Sequence, residues 1–82
     1  MSNNVETKII ELISLELNID PSKIKPESDF VKDLNADSID TANIINAVDI
    51  HFKIKIDMKE AASIETVSAL VDFVKTKQRI KH

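Results

Sequence analysis

Residues 33–41 read DLNADSIDT and mark the point at which an irregular segment of the chain gives way to a helix. Asp37 is placed to cap a helix that starts at Ser38, and Asp40 occupies the third helical position, where a carboxylate is favoured. Apolar residues then recur every three or four positions, the spacing of one helix face: Ala42, Ile45, Val48 and Phe52. The stretch therefore predicts a helix over about Ser38 to Phe52.

The same spacing predicts a helix on each side of this central one. Four apolar residues on one face predict the first helix: Val5, Ile9, Leu12 and Ile13. Asn3, with Glu6 three residues later, matches the residue types of an N-terminal cap. Four more apolar residues predict the last helix, over about Thr66 to Gln78: Val67, Leu70, Val71 and Val74.

A long loop is expected between the first two helices. Pro21 breaks the helical pattern and Pro26 keeps residues 20–36 irregular, because proline lacks a backbone N–H and biases its predecessor away from helical dihedral angles. Four apolar side chains are expected to pin the loop to the core: Ile24, Phe30, Val31 and Leu34. A loop of this length inside a small domain is usually functional.

The segment after the central helix is short. Residues 53–56 alternate polar and apolar residues, as a strand does, but a lone strand would have no partner. We therefore expect a connector, followed by one helical turn over about Asp57 to Ala62. The predicted fold class is all-α, a small up-and-down bundle of three longer helices and one short helix. Because 82 residues have room for one core only, a single domain over 1–82 is expected.

The composition excludes several classes of function. The chain has no Cys and only two His, so no metal site is expected. It has no Gly, which excludes the glycine-rich loops that bind nucleotide phosphates. No apolar run approaches the roughly 18 residues of a membrane span, and the N-terminus lacks the pattern of a signal peptide. A cytoplasmic location is therefore the expectation.

The residues around Ser38 allow more than one interpretation. A hydrolase-type nucleophile would need a nearby base, but neither His is close to Ser38 in sequence, so self-catalysis is not expected. Residues 33–37 begin like a calcium loop, but Ser38 takes the place of the required Gly and Ile44 that of the bidentate Glu. Spacing alone leaves two interpretations open: a capped helix start with solvated acids, or adventitious binding of a divalent ion by Asp33, Asp37 and Asp40.

Residues 33–41 resemble the phosphopantetheine attachment motif of acyl carrier proteins, which reads DLGADSLD. The resemblance extends over nearly the whole chain, from the first amphipathic helix, through Phe30 before the motif and Phe52 at the end of the second helix, to the connector at 54–56 and the last helix after 64–67. Asn35 stands in place of the family's Gly, and Asn accepts left-handed dihedral angles better than most residues. Ile39 replaces Leu.

This resemblance implies a carrier and not an enzyme. A separate phosphopantetheinyl transferase would esterify Ser38 with 4′-phosphopantetheine from coenzyme A, and the thiol of that arm would hold acyl groups as thioesters. The other implied partners are the synthases, reductases and acyltransferases of fatty-acid and lipid biosynthesis. A monomer with no nucleic-acid partner is expected.

The resemblance also implies which residues meet partners and cargo. The charges of Asp37, Asp40 and Asp49 would meet basic patches on partner enzymes, and exposed Ile39 would supply an apolar contact beside Ser38. Acyl carbons would lie among apolar side chains of the helical interior: Ile45, Val48, Ile56, Ala61 and Ile64. Ordinary core packing stays open for each of these five residues.

The central helix is poorer in acids than is usual in this family. Asn43, Asn46 and Ile50 stand where many members have Glu, Met and Glu, so weaker electrostatic steering of partners is expected. A specialised carrier of aminoacyl, polyketide or hydroxyacyl groups therefore stays open. So does a different class of protein, a cofactor-free helical interaction module in which Ser38 only starts a helix.

A basic tail ends the chain over about 75–82, in a protein whose net charge is −3. Its cations are Lys75, Lys77, Arg79 and Lys81. We expect this tail to be solvated and frayed, because chain termini are often poorly ordered and cations near a helix C-terminus are favourable without any ligand.

Overall fold

The computed structural model describes the backbone of residues 4–80 and the side chains of residues 5–78. Its four α-helices are α1 (Asn4–Leu17), α2 (Ser38–Phe52), α3 (Met58–Ala62) and α4 (Val67–Ile80). Between α1 and α2 the chain forms one turn of 3-10 helix at Pro21–Lys23, and an isolated bridge joins Asp29 to Thr66. The predicted all-α fold of three longer helices and one short helix is confirmed.

The observed helix bounds match the prediction for α2 and differ for α4. The last helix continues to Ile80, so Lys75 and Lys77 lie within it and not in a tail that follows it. The expected connector is present at residues 53–56. The predicted cap at Asn3 and the end of the predicted tail, after Ile80, lie outside the described residues.

The core lies where α1 packs against α2 and α4. Each of these helices turns an apolar face inward, as the spacing of its residues predicts. Seven described helix residues have side chains without exposed surface: Ile9, Ile13, Ile44, Val48, Val67, Leu70 and Val74. The side chain of Phe30, in the loop, is almost completely buried as well. α3 contributes no buried residue and rests on the bundle without entering its core. None of the described helices is long and apolar enough to cross a membrane.

Phe30 fastens the long loop to the bundle. Its side chain is buried, as are those of Ile24 and Leu34, in agreement with the prediction. Its backbone N–H donates to the carbonyl of Glu65 at 3.0 Å, and its carbonyl accepts from the N–H of Ala36 at 2.8 Å. The loop is therefore tied to the segment before α4 and to the segment before α2.

Val31 does not pin the loop, so this part of the prediction is wrong. The carboxylate of Asp29 accepts hydrogen bonds from the N–H groups of Val31 and Lys32, both at 2.9 Å. These bonds form a local turn of the kind that Asp favours. The turn directs Phe30 into the core and leaves the side chain of Val31 64% exposed.

The burial of Phe30 can be tested by truncation. We expect Phe30→Ala to lower the free energy of unfolding by about 3–5 kcal/mol, because the change removes apolar contacts and leaves a cavity. Val31→Ala, at the exposed neighbouring position, should change it by less than about 0.5 kcal/mol. Urea denaturation followed by circular dichroism measures both values. Equal losses in the two variants would contradict the anchoring role of Phe30.

The turn at Asp29 predicts a pH dependence. Backbone hydrogen bonds, first that from Lys32, lower the pKa of the Asp29 carboxyl below its ordinary value of 3.8. Because the fold favours the charged form, Asp29 stabilises the protein above that value, and the contribution disappears as the pH falls through the lowered pKa. Asp29→Asn removes this titration.

Wild type should therefore be more stable than Asp29→Asn at about pH 7, and the difference should shrink towards about pH 2. Urea denaturation of both proteins at the two pH values measures the difference in unfolding free energy. A difference of the same size at both pH values would show that the charge of Asp29 does not contribute.

Candidate functional site

Ser38 is the first residue of α2, and its side chain is exposed. The carboxylate of Asp37 accepts from the N–H of Asp40 at 2.8 Å, and the carboxylate of Asp40 accepts from the N–H of Asp37 at 3.3 Å. This reciprocal pair is a capping box, which satisfies backbone donors at the helix start. Both carboxylates are thus bonded to the backbone, and the Ser38 hydroxyl between them is accessible.

The segment before Ser38 alternates buried and exposed residues. Leu34 and Ala36 are buried, while Asn35 and Asp37 are exposed. Asn35 has a φ of 60°, which is the left-handed region expected where the family has Gly. The two buried side chains anchor the motif, and the left-handed residue between them turns the chain into α2.

The surroundings of Ser38 do not form a catalytic or metal site in the described part of the chain. His51 lies near the other end of α2, roughly 20 Å away at the rise of an α-helix. Residues 4–80 contain no group of three His, Cys, Asp or Glu side chains that could hold a metal ion. Asp33, the first residue of the calcium-loop pattern, accepts instead from the N–H of Asp29 at 2.7 Å. Ser38 offers an accessible hydroxyl, and the two carboxylates beside it are engaged by backbone N–H groups.

A groove with a volume of about 860 Å³ opens beside Ser38. Its walls come from α2, from the loop before α2, and from α3 with the segments that flank it. Four of the residues predicted for an acyl pocket line this groove: Ile45, Ile56, Ala61 and Ile64. Three of these four are buried isoleucines, so the groove reaches the edge of the core.

Val48, the fifth residue of that prediction, is not among the residues that line the groove. Its side chain has no exposed surface and packs in the core cluster. The groove face of α2 carries Ala42, Asn46 and Asp49 in addition to Ile45. Sequence reasoning placed Ala42 on the apolar face of α2 but not in the pocket, and it missed Asn46 because a polar residue does not stand out in an apolar pattern.

Asp49 also lies on the groove wall, although it was expected on the surface that meets partner proteins. Its Oδ2 accepts from the N–H of Ile56 at 3.4 Å, across the connector after α2. Its Oδ1 is buried and has no hydrogen-bond partner within the described residues. The structure therefore separates Asp49 from Asp37, Ile39 and Asp40, which lie together at the start of α2.

Three exposed apolar side chains follow Ser38 or line the same groove: Val31, Ile39 and Met58. Ile39 follows Ser38 directly and is 69% exposed, as expected. Val31 and Met58 line the same groove as Ser38 and are also largely exposed. Met58 could have been found from sequence, because it follows a capping Asp57 and begins a helix too short to bury all its residues.

The wall formed by α3 is held by polar contacts. Asp57 and Glu60 form a capping box at its start, with hydrogen bonds of 2.8 and 3.0 Å. Glu60 also pairs with Lys77 of α4 at 3.2 Å. Because α3 buries none of its residues, displacing it costs less than displacing a core helix. One wall of the groove is thus the least firmly packed helix of the bundle.

Comparison with known proteins agrees with this geometry. Residues 7–74 match the family described as phosphopantetheine attachment site. The chain is similar to the acyl carrier proteins of Rickettsia canadensis (strain McKiel) and Rickettsia rickettsii (strain Iowa), with 38% identity over 77 residues, 94% of this chain and 90% of each relative. It is 36% identical to the acyl carrier protein of Rickettsia typhi over the same shares. The chain therefore belongs to the acyl carrier protein family, whose members are carriers with a phosphopantetheine attachment site and not enzymes.

Proposed function

We propose that this chain carries growing or finished acyl chains as thioesters on 4′-phosphopantetheine attached to Ser38. It presents them to enzymes of fatty-acid and lipid biosynthesis. The observation that carries this proposal is an exposed serine hydroxyl at a helix N-terminus, opening onto a groove of about 860 Å³ with mostly apolar walls. A phosphopantetheinyl transferase attaches the arm, because the carboxylates beside Ser38 are bonded to backbone N–H groups and His51 lies at the far end of α2.

The start of α2 suits the phosphate through which such an arm is attached. The positive end of the helix dipole favours an anion there by roughly 0.3–1 kcal/mol. The carboxylate of Asp37 accepts a hydrogen bond from the N–H of Asp40. The N–H groups of Ser38 and Ile39, in the first turn, are therefore available to other acceptors. The bound arm supplies the thiol that this Cys-free chain lacks.

The groove suits an acyl chain. Each methylene that moves from water to the side chains of Ile45, Ile56 and Ile64 gains roughly 0.8 kcal/mol. Ala61 and Ala62 of α3 are small and leave room beside these residues. A chain held there is shielded from water and from enzymes that are not its partners, and movement of α3 would release it.

The start of α2 is the proposed docking surface for partner enzymes. Asp37 and Asp40 provide negative charge, which steers a basic patch towards Ser38, and Ile39 provides apolar area at the centre of the contact. We propose that the chain acts as a monomer in the cytoplasm, by analogy with the family. Asp49, further along α2, stays a predicted member of this surface; it lines the groove, and its Oδ2 accepts from the N–H of Ile56.

The attachment site is tested by loading Ser38→Ala. Incubated with coenzyme A and a promiscuous phosphopantetheinyl transferase, wild type should gain the mass of one phosphopantetheine group, and Ser38→Ala should gain none. Ser68→Ala, which removes another exposed serine hydroxyl, is the matched control and should load fully. Intact-protein mass spectrometry measures the change.

An unmodified wild-type protein would overturn the carrier proposal and favour a cofactor-free interaction module. A loaded Ser38→Ala protein would place the attachment at another residue.

The docking role of Ile39 is tested by truncation on the surface. We expect Ile39→Ala to lower the kcat/KM of the transferase for this chain by about tenfold, because the change removes an apolar anchor from the centre of the interface. Leu15→Ala is the control, since Leu15 is 75% exposed but lies on α1 and does not line the groove.

Both variants should keep the unfolding temperature of wild type, because both side chains are exposed. Equal loading rates for the two variants would show that partner enzymes do not contact Ile39.

A further inference from the structure

We infer that Glu16 of α1 contacts the phosphopantetheinyl transferase that loads Ser38, and that Asn43 of α2 holds the carboxylate of Glu16 in place for this contact. The inference rests on the proposed carrier function and adds a charged residue from a second helix to the docking surface. The group that Glu16 meets on the transferase is a Lys or Arg side chain.

The main observation is a hydrogen bond between two helices. The amide of Asn43 donates to Oε2 of Glu16 at 3.1 Å, and both residues are exposed. They are 27 positions apart in the chain, so the packing of α1 against α2 brings them together. An exposed contact between side chains adds little to stability, but a bonded side chain samples fewer rotamers than a free one. The effect of this bond is therefore to keep the carboxylate close to α2.

The bonded carboxylate lies beside the exposed apolar residue of the docking surface. Asn43 follows Ile39 by four residues, about one helical turn, so their side chains are neighbours on one face of α2. Ile39 is 69% exposed and directly follows Ser38. An enzyme that contacts Ile39 while it modifies Ser38 is therefore within reach of the carboxylate held at Asn43. The proposed docking surface thus continues from α2 onto α1.

Glu16 brings negative charge to a part of α2 that has none of its own. Between Asp40 and Asp49 the helix contains no acid, and it contains no Lys or Arg along its whole length. The donor to Glu16 is a neutral amide, so the bond orients the carboxylate without neutralising it. Charges at the rim of an interface steer a partner of opposite charge and fix its orientation. With Asp40 in the first turn of α2 and Glu16 held at the second, a basic partner has two separate points of attraction.

The experiment separates the charge of Glu16 from its hydrogen bond. Glu16→Gln keeps an oxygen that can accept from Asn43 and removes the charge, whereas Asn43→Ala keeps the charge and removes the bond. Each protein is loaded from coenzyme A by the phosphopantetheinyl transferase encoded in the same genome, and loading is followed by intact mass. We determine kcat and KM at about 20 mM and about 500 mM NaCl, because salt screens interactions between exposed charges.

At low salt, Glu16→Gln should lower kcat/KM roughly three- to fivefold, mainly by raising KM, because a lost rim charge slows association. Asn43→Ala should give a smaller loss, and both losses should disappear at high salt. Glu11→Gln is the matched control, because it removes the same charge from an exposed residue of the same helix, about 7.5 Å further from Ser38 along α1. It should load at the rate of wild type.

A double variant tests the position of the charge. Glu16→Gln combined with Asn43→Glu moves the carboxylate from α1 to α2 at the same place on the surface. It should restore kcat/KM to within about twofold of wild type, so the two changes should be strongly non-additive. A bond that only joins the two helices predicts no recovery, because both of its partners have been replaced.

Three results would overturn the inference. The first is equal kcat/KM for wild type and Glu16→Gln at low salt. The second is an equal loss in Glu16→Gln and Glu11→Gln, which would make net charge the cause. The third is a double variant that loads as slowly as Glu16→Gln. Failure of the proposed function gives a different signal, because wild type itself would then gain no mass.

Discussion

The hydrogen bonds on the two sides of Phe30 connect the parts of the molecule that form the site. Its N–H reaches Glu65 before α4, its carbonyl reaches Ala36 before α2, and its side chain is buried. Two neighbouring loop carbonyls accept from the first N–H groups of α4: Ser28 from Val67 at 3.0 Å, and Pro26 from Ser68 at 2.8 Å. The loop therefore completes the start of α4 while it fixes the start of α2. Without these bonds the groove would lose the wall that the loop supplies.

The molecule divides into a rigid part and a part that can yield. The core between α1, α2 and α4 is made of fully buried aliphatic side chains, and rearranging it would cost close to the stability of the whole domain. α3 is different, because its capping box and its ion pair to Lys77 hold it without burying any of its residues. The proposed function needs both properties: a fixed Ser38 for enzymes to recognise, and a groove that can admit chains of several lengths without unfolding the protein.

The sequence predicted those features that depend on local periodicity. The spacing of apolar residues located α1, α2 and α4, and Asp37 and Asp40 located the capping box that positions Ser38. Val31 was misplaced because the turn that exposes it depends on hydrogen bonds to Asp29, and apolar spacing carries no information on such a turn in a loop. The hydrogen bond of Asp49 could not be predicted, because its partner is Ile56, seven residues later, after a left-handed residue has turned the connector back over α2. Both features depend on contacts outside one helix, which periodicity within that helix does not determine.

The proposed docking surface at the start of α2 carries more negative charge than the residues of α2 alone provide. Asn43 stands where the resemblance places Glu, but its amide donates to the carboxylate of Glu16 on α1 at 3.1 Å. A negative charge is thus brought to this position from a neighbouring helix. Further along α2, Ile50 is 69% exposed and brings no charge. Negative charge is therefore concentrated on the half of α2 that contains Ser38, with Asp37, Asp40 and the borrowed Glu16. Under the proposed function, a basic partner is drawn first to the end of the helix that bears the arm, while exposed Ile50 in the far half offers apolar contact.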